Sequence, residues 1–306
     1  HMLRSQIILG GSILTIICLS FSFLDRSGSP YNQAPFPYDL SQPQKSISLP
    51  EKLTEISGLT YVSPGKLAVV QDEKAHIYQF DLEKEKIITD SDFGKSGDYE
   101  GVELVGETAY VVNSEGEVFE VPDYTQEDSP AKVYNTVLSD NNNVEGLGYF
   151  PQNDYLLLAC KGSPNLDRKL YSGYRSIYAF DLRRKKLNPA PFLLVNKQEI
   201  GYVLERQAKG AFEKAYAKSF DPSDKDAFRP SGIAVHPQSM DIYVLGSVGK
   251  MLLVYRKDGK LLYAQPLDKR VFKQPEGICF SPEGELYISN EGRNGKGNIL
   301  IFPQGS

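Results

Sequence analysis

A short phrase centred on a glycine recurs five times along this chain of 306 residues. Each copy has a serine or a glutamate before the glycine and an apolar residue after it, and the glycines are Gly58, Gly101, Gly146, Gly232 and Gly277. They are separated by 43, 45, 86 and 45 residues. A period near 45 residues with four short apolar runs per period is typical of a β-propeller, in which each repeat forms one blade. The repeat therefore predicts an all-β fold.

The interval of 86 residues decides the number of blades. It is long enough for a sixth blade, but residues 198–219 have helical rather than strand periodicity. Their apolar stripe comprises Ile200, Val203, Leu204, Ala211, Phe212, Ala215 and Tyr216. We therefore predict a five-bladed β-propeller with one helical insertion at about 198–219, and six blades are the alternative. The fifth repeat ends one strand short, and we expect Lys45–Leu49 to supply that strand and close the ring.

The N-terminus carries an uncharged apolar run from Ile7 to Leu24 behind Arg4. This run is just long enough to cross a bilayer and is not followed by a small-x-small cleavage site. We expect residues 1–26 to be an uncleaved signal anchor, with a cleaved signal peptide as the alternative. The rest of the chain would then be exported to the periplasmic or cell-surface side and anchored to the inner membrane, or secreted after cleavage.

Two further segments follow this N-terminal region. Residues 27–44 are rich in Pro, Ser, Gln and Tyr, which predicts a flexible linker. Residues 45–306 are expected to form the propeller domain. We expect this domain to be a monomer.

Composition excludes several classes of function. The net charge of −5 and the isoelectric point near 5.4 argue against a nucleic-acid partner, which would need a basic surface. Three cysteines are too few for a disulfide framework, and Cys160 and Cys279 are expected to be buried free thiols. Three scattered histidines do not suggest a zinc site. No motif of a serine hydrolase, zinc protease or P-loop protein occurs.

The repeat also predicts a polar site. In an antiparallel blade the second strand ends on the face where the first strand begins, so polar residues at both positions are expected to meet at one mouth of the channel. Carboxylate and amide oxygens suit Ca²⁺, and the predicted metal ligands are Glu100, Glu145, Glu276 and Asp72. The predicted ligand-binding residues are Glu55, Ser57, Gln71, Asn113, Lys161, Ser231, Asn290 and Glu291.

Purely structural interpretations of the same residues stay open. The repeated glycine is explained equally by a positive φ or by close packing at the start of the inner strand. Each glutamate is explained equally by hydrogen bonds to the neighbouring blade. Lys161 either binds an anion or pairs with Glu145.

The repeated phrases resemble those of a known family. The relevant segments are E-I-S-G-L at 55–59, D-Y-E-G-V at 98–102, N-V-E-G-L at 143–147 and Q-P-E-G-I at 274–278. In order and spacing they are similar to the SdiA-regulated (YjiK-like) family of exported bacterial β-propellers, which includes calcium-regulated members. The resemblance covers roughly residues 45–303. It implies a periplasmic or surface propeller with calcium binding, and it carries no catalytic reaction over to this chain.

Two functions are consistent with this sequence. The first is an exported, membrane-tethered binding or sensing module with a calcium-dependent polar mouth, whose ligand is an unidentified small molecule or protein. The alternative is a calcium-dependent hydrolase of phytase or lactonase type, in which Glu100 or Glu145 would be the general base. The sequence favours the binding module, since it contains no catalytic motif.

Overall fold

The computed structural model describes residues 34–165 and 168–305. The expected signal anchor or signal peptide at residues 1–26 lies outside the described residues. Strand β1 spans Lys45–Ser48, and a short 3-10 helix at Glu51–Leu53 leads from it into the first blade.

The first two blades are four-stranded antiparallel sheets with their strands in chain order. Continuous apolar runs such as Leu67–Val70 form their middle strands, because both faces of a blade pack against neighbouring blades. The strands are β2 (Ile56–Ser63), β3 (Lys66–Gln71), β4 (His76–Asp81), β5 (Lys86–Asp92), β6 (Tyr99–Val105), β7 (Thr108–Asn113), β8 (Val118–Val121) and β9 (Lys132–Tyr134).

The third blade divides its outer edge between two short strands. Both β13 and β14 pair with the third strand of the blade, β12, at its opposite ends. The elements of this blade are β10 (Val144–Phe150), β11 (Tyr155–Cys160), the one-turn helix α1 (Arg168–Tyr171), β12 (Tyr174–Asp181), β13 (Lys186–Leu187) and β14 (Leu193–Asn196).

The fourth and fifth blades complete the ring. Their strands are β15 (Arg229–Val235), β16 (Ile242–Val248), β17 (Met251–Tyr255), β18 (Leu261–Pro266), β19 (Pro275–Phe280), β20 (Leu286–Asn290) and β21 (Asn298–Phe302). Strand β1 pairs antiparallel with β21 and supplies the fourth strand of the fifth blade. The predicted five-bladed propeller and its closing strand are thus confirmed.

The helical insertion is present as two helices rather than one. Helix α2 (Lys197–Gln207) begins at Asn196, whose side chain accepts a hydrogen bond from Gln198 N at 2.9 Å. Helix α3 (Ala211–Ser219) follows after a break at residues 208–210. Gln207 of α2 bonds to the backbone of the edge strand β18 through Leu262 O and Ala264 N, so α2 covers this edge.

The segment before β1 packs against the fourth and fifth blades. Tyr38 is buried, and its hydroxyl donates a hydrogen bond to Gly284 O at 2.6 Å. Phe36 and Leu40 pack against the same core. The compact unit therefore begins at Phe36, within the expected linker of residues 27–44, rather than at Lys45. Within the described part of the chain, none of the helices has the length and hydropathy needed to cross a membrane.

Candidate functional site

The starts of the inner strands meet the ends of the second strands on one face of the propeller. In the register, Ile56 lies opposite Gln71, Tyr99 opposite Asn113 and Val144 opposite Cys160. The fourth and fifth blades repeat this arrangement. We call this face the mouth, defined by Ser57, Glu100, Glu145, Ser231 and Glu276 with the loops that follow the second strands.

Every blade has a register shift at its glycine phrase. At this shift, the residue before the glycine has no partner in the second strand. The unpaired residues are Ser57, Glu100, Glu145, Ser231 and Glu276. A β-bulge of this kind removes a residue from the ladder and redirects its side chain. The bulge therefore frees the mouth side chains from the sheet.

Close packing explains the repeated glycines. None of the five has a positive φ. A Cβ on Gly58 would lie 2.8 Å from Gly101 Cα, and one on Gly146 would lie 2.9 Å from Gly232 Cα. The inner strands therefore touch one another around the axis through these glycines. The cavity between them is only about 10 Å³, room for a single water molecule at most, so any larger ligand of the mouth must sit above the glycines.

Two of the mouth glutamates accept a hydrogen bond from the residue two positions before them. Asn143 donates to Glu145 Oε1 at 2.8 Å, and Gln274 donates to Glu276 Oε1 at 2.5 Å. Asp98 precedes Glu100 by the same two positions, and its negative charge adds to the effects of burial and of Glu145 that raise the pKa of Glu100. The second, third and fifth blades therefore each place a polar side chain two positions before the glutamate, just ahead of the inner strand.

The three glutamates are close enough to raise one another's pKa values. Burial, followed by the charge of Glu145, raises the pKa of Glu276 to about 8. Burial and the charges of Glu145 and Asp98 raise the pKa of Glu100 well above its usual range. The mouth therefore concentrates more carboxyl groups than it can hold ionised.

One ammonium group partly offsets this charge. Lys161 Nζ lies 2.9 Å from Glu145 Oε1, so the pairing expected as one alternative is present. Burial raises the pKa of Glu145, and the ion pair with Lys161 and the bond from Asn143 counteract only part of that rise. Burial lowers the pKa of Lys161, but the attraction of Glu145 outweighs it and leaves that pKa raised.

The two mouth serines bind backbone instead. Ser57 Oγ donates to Tyr99 O at 2.6 Å, and Ser231 Oγ donates to Pro275 O at 2.8 Å. Each bond crosses from one blade to the next. These two predicted ligand-binding residues therefore hold neighbouring blades together.

Three predicted amide residues also bond locally. Gln71 accepts from Glu73 N at 2.8 Å, and Asn113 bonds twice to Glu117 in the following turn. Asn290 accepts from Gln274 N at 3.2 Å and donates to Asn298 Oδ1 at 2.9 Å. These side chains shape the loops around the mouth.

The remaining predicted residues form an acidic rim. Asp72 Oδ1 is buried and has no hydrogen-bond partner among the described residues. Burial, with the charges of Glu55, Asp98, Glu73 and Glu291, raises the pKa of Asp72 to about 6. Glu55 is exposed and Glu291 partly exposed, so the rim faces solvent.

No ready-made metal site is present in the part of the chain that the structure describes. Across residues 34–165 and 168–305, no three His, Cys, Asp or Glu side chains are arranged to hold a metal ion. Glu145 is already paired with Lys161. In this arrangement the predicted ligands do not form a calcium cage, and the calcium site stays a prediction.

Sequence reasoning missed a carboxylate inside the ring. Glu103 Oε1 accepts from Thr60 Oγ1 at 2.5 Å, and Glu103 Oε2 accepts from Tyr149 N at 3.1 Å. It therefore bridges the blades on either side of its own. A glutamate in the otherwise apolar run Val102–Val105 was the available signal. Asn143 and Gln274 were also missed, although each stands two positions before its glutamate, as Asp98 stands before Glu100.

Similar structures have been solved. The luciferin-regenerating enzyme is 12% identical, with 87% of this chain and 98% of that chain covered and a TM-score of 0.48. The PQQ-bound aldose sugar dehydrogenase of Streptomyces coelicolor is 11% identical, with coverages of 85% and 97% and a TM-score of 0.49. Virginiamycin B lyase of Staphylococcus aureus is 12% identical, with coverages of 84% and 73% and a TM-score of 0.43. Similarity at this level carries no conclusion about function.

Comparison with curated proteins finds no match. A family model does match, and its description is "SdiA-regulated". The match spans residues 38–187 and so covers β1, the first two blades and the third blade as far as β13, a shorter stretch than the resemblance expected over residues 45–303. Over residues 38–187, the chain is therefore similar to the SdiA-regulated family.

Proposed function

We propose that this propeller is a binding module that takes its ligand at the mouth, and that Ca²⁺ is part of the bound state. The observation that carries the proposal is the convergence of Glu100, Glu145 and Glu276 on one mouth. Among the described residues, only Lys161 forms an ion pair with any of them. The mouth thus has an excess of carboxylate oxygen, which favours a cationic ligand.

The raised pKa values support a divalent cation in particular. A bound cation lowers the pKa of nearby carboxyl groups because it stabilises their ionised form. Glu100, Glu276 and Asp72 have no cationic partner among the described residues, and these side chains would hold the ion after rotating towards it. Ca²⁺ takes six to eight oxygen ligands in flexible geometry, so backbone carbonyls and waters would complete the shell.

Calorimetry and thermal unfolding with added Ca²⁺ test this proposal. We expect Ca²⁺ to bind and to raise the melting temperature of the intact protein, because a ligand of the folded state stabilises it. The double variant Glu100→Gln/Glu276→Gln should lose both effects. The control variant Glu83→Gln/Glu85→Gln also removes two carboxyl groups, but from an exposed turn. It should keep both the Ca²⁺ binding and the stabilisation. Absence of any binding heat with millimolar Ca²⁺ would rule the calcium site out.

A hydrolase is the second candidate, and one observation favours it. The pKa of Glu276, at about 8, lies in the range that suits general acid–base catalysis near neutral pH. A panel of phosphomonoester, phytate and lactone substrates, with and without Ca²⁺, separates the two functions. Turnover that requires Ca²⁺ and is lost in Glu276→Gln would establish the enzyme, whereas no turnover across the panel favours the binding module.

We also propose that the domain is exported and tethered to the inner membrane by residues 1–26. The support is the uncharged run from Ile7 to Leu24 behind Arg4. Cell fractionation of the full chain tests it. We expect the protein in the membrane fraction and sensitive to protease added to spheroplasts. Deletion of residues 2–26 should leave it in the cytosol, and a full chain found there as well would contradict the proposal.

A further inference from the structure

A second cavity lies beside the fourth blade, away from the five mouth residues. It has a volume of about 630 Å³, which is within the usual range for small-molecule sites. Helix α3 forms one side of it, and the turn between β16 and β17 together with the loop after β18 forms the other. Both of these connections lie on the mouth face, because β16 ends there and β17 begins there.

Aromatic side chains from α3 and the residue after it form one wall of the cavity, namely Phe212, Tyr216 and Phe220. None of the residues of α3 is fully buried, which is unusual for a helix with an apolar stripe. Two residues of the stripe, Phe212 and Tyr216, line the cavity; Tyr216 also packs against the hydrophobic core, and Phe212 remains 45% exposed. Tyr216 donates a hydrogen bond to Gly249 O, which attaches this wall to the turn between β16 and β17.

The charged groups around the cavity are not equally available. Four aspartates line it, and each accepts hydrogen bonds within its own loop: Asp221 from Ser223, Asp224 from Asp226 N, Asp226 from Arg229 and Asp268 from Arg270. Lys250 differs from them. Its ammonium group donates to Ser247 O at 3.1 Å, and no carboxylate oxygen of a described residue lies within ion-pair distance.

We propose that this cavity binds a small organic anion that carries an aromatic ring. The ring packs against Phe212 and Tyr216, and the anionic group pairs with the ammonium of Lys250. Such a ligand supplies the charge partner that Lys250 lacks and covers the exposed aromatic wall. None of Glu100, Glu145 and Glu276 lines the cavity, so the site does not depend on the function proposed for the mouth, although the charge of Glu276 reaches Lys250.

Three compounds that share the indole ring test the charge requirement. They are indole-3-acetate, which is anionic, indole, which is neutral and has no side chain, and tryptamine, which is cationic. We expect saturation-transfer NMR and titration calorimetry of the intact chain to show binding of indole-3-acetate. Tryptamine should bind at least about tenfold more weakly, since one charge-assisted hydrogen bond is worth about a factor of ten.

Paired variants test the two walls. Lys250→Gln and Phe212→Ala should each weaken indole-3-acetate binding by about tenfold or more. Lys257→Gln and Tyr202→Ala change an exposed lysine and an exposed aromatic residue outside the cavity, and both should bind as the unmodified protein does. Circular dichroism and thermal melts establish that each variant is folded. Phe212 is 45% exposed and lies outside the buried core, so its replacement changes the cavity wall without disturbing the core.

Several results would overturn the proposal. Tryptamine binding as tightly as indole-3-acetate would show that the site does not select an anion. Equal binding by Lys250→Gln and the unmodified protein would remove the role of the ammonium. Failure of all three compounds to bind at millimolar concentration would show that the cavity does not accept a ligand of this class.

Discussion

The blades of this propeller fall into two kinds that share one backbone. The first and fourth blades have a serine before the glycine, and we call them the serine blades. The other three have a glutamate there, and we call them the glutamate blades. Both kinds have the same register shift and the same glycine contacts around the axis. The side chain at the bulge is what differs.

This side chain bonds in opposite directions in the two kinds of blade. In the serine blades it bonds outward to the next blade, as Ser57 does to Tyr99 O. In two of the glutamate blades it bonds to a residue just ahead of its own strand, as Glu145 does to Asn143. The serine is neutral and stabilises an interface between blades, whereas the glutamate is buried near other carboxyl groups. The glycine phrase is thus a structural repeat, and its glutamates are local additions that do not serve blade packing.

The largest expected effect concerns the part that both kinds of blade share. Gly58→Ala in a serine blade and Gly146→Ala in a glutamate blade should each lower the free energy of unfolding by about 3 kcal/mol, the upper part of the range for overpacking. The new Cβ would come within 3 Å of backbone atoms, at 2.8 Å from Gly101 Cα or 2.9 Å from Gly232 Cα. Urea denaturation measures both losses.

Gly94→Ala is the control for these variants, since no atom lies within 4 Å of the added Cβ. It should leave the stability within about 0.5 kcal/mol of the unmodified protein. A large loss at Gly146 with none at Gly58 would show that the two kinds of blade do not share their central packing.

The sequence predicts the repeat well because its signals are local. The glycine spacing and the short apolar runs give the five blades, the missing last strand gives the closing strand, and the helical periodicity of residues 198–219 gives the insertion. The stripe over residues 198–219 does not reveal the break near Gly210, since the apolar spacing continues through it. Only the α2 part of the stripe, with Ile200 and Leu204, enters the core.

The sequence predicts contacts between distant residues less well. A segment rich in Pro and Tyr has the composition of a linker. Tyr38 is nevertheless buried in the core of the last two blades, where its hydroxyl donates a hydrogen bond to Gly284 O. Glu103 looks like an exposed strand residue, and only the positions of Thr60 and Tyr149 in the neighbouring blades explain it. These contacts join residues that are distant in sequence and become neighbours only when the blades assemble around the axis. The pattern of residues within one segment therefore does not predict them.

The second prediction concerns the pH dependence that a glutamate at the bulge provides and a serine at the same position cannot. The pKa of Glu276 is about 8 in the folded protein and near its ordinary 4.5 when unfolded. The unfolded chain therefore binds fewer protons between these values, and stability falls as the pH rises. From pH 5 to pH 7 the slope approaches about 1.4 kcal/mol per unit, so Glu276 should contribute a loss of about 2 kcal/mol.

Denaturation of Glu276→Gln at pH 5, 6 and 7 measures this contribution. The variant should lose about 2 kcal/mol less than the unmodified protein over this range. Ser231→Ala, at the equivalent position of a serine blade, should keep the full pH dependence because serine does not titrate. If the slope for Glu276→Gln equals that of the unmodified protein, the raised pKa of Glu276 is contradicted.

The smallest expected effect concerns the serine blades. Ser57→Ala removes the 2.6 Å bond to Tyr99 O and leaves a buried carbonyl oxygen without this donor, so the free energy of unfolding should fall by about 1 kcal/mol at every pH. Ser231→Ala removes the 2.8 Å bond to Pro275 O and should behave in the same way. Ser96→Ala, at an exposed position, should have no measurable effect. Unchanged stability in both mouth variants would mean that these serines do not join the blades, and the contrast with the glutamates would then lie only in charge.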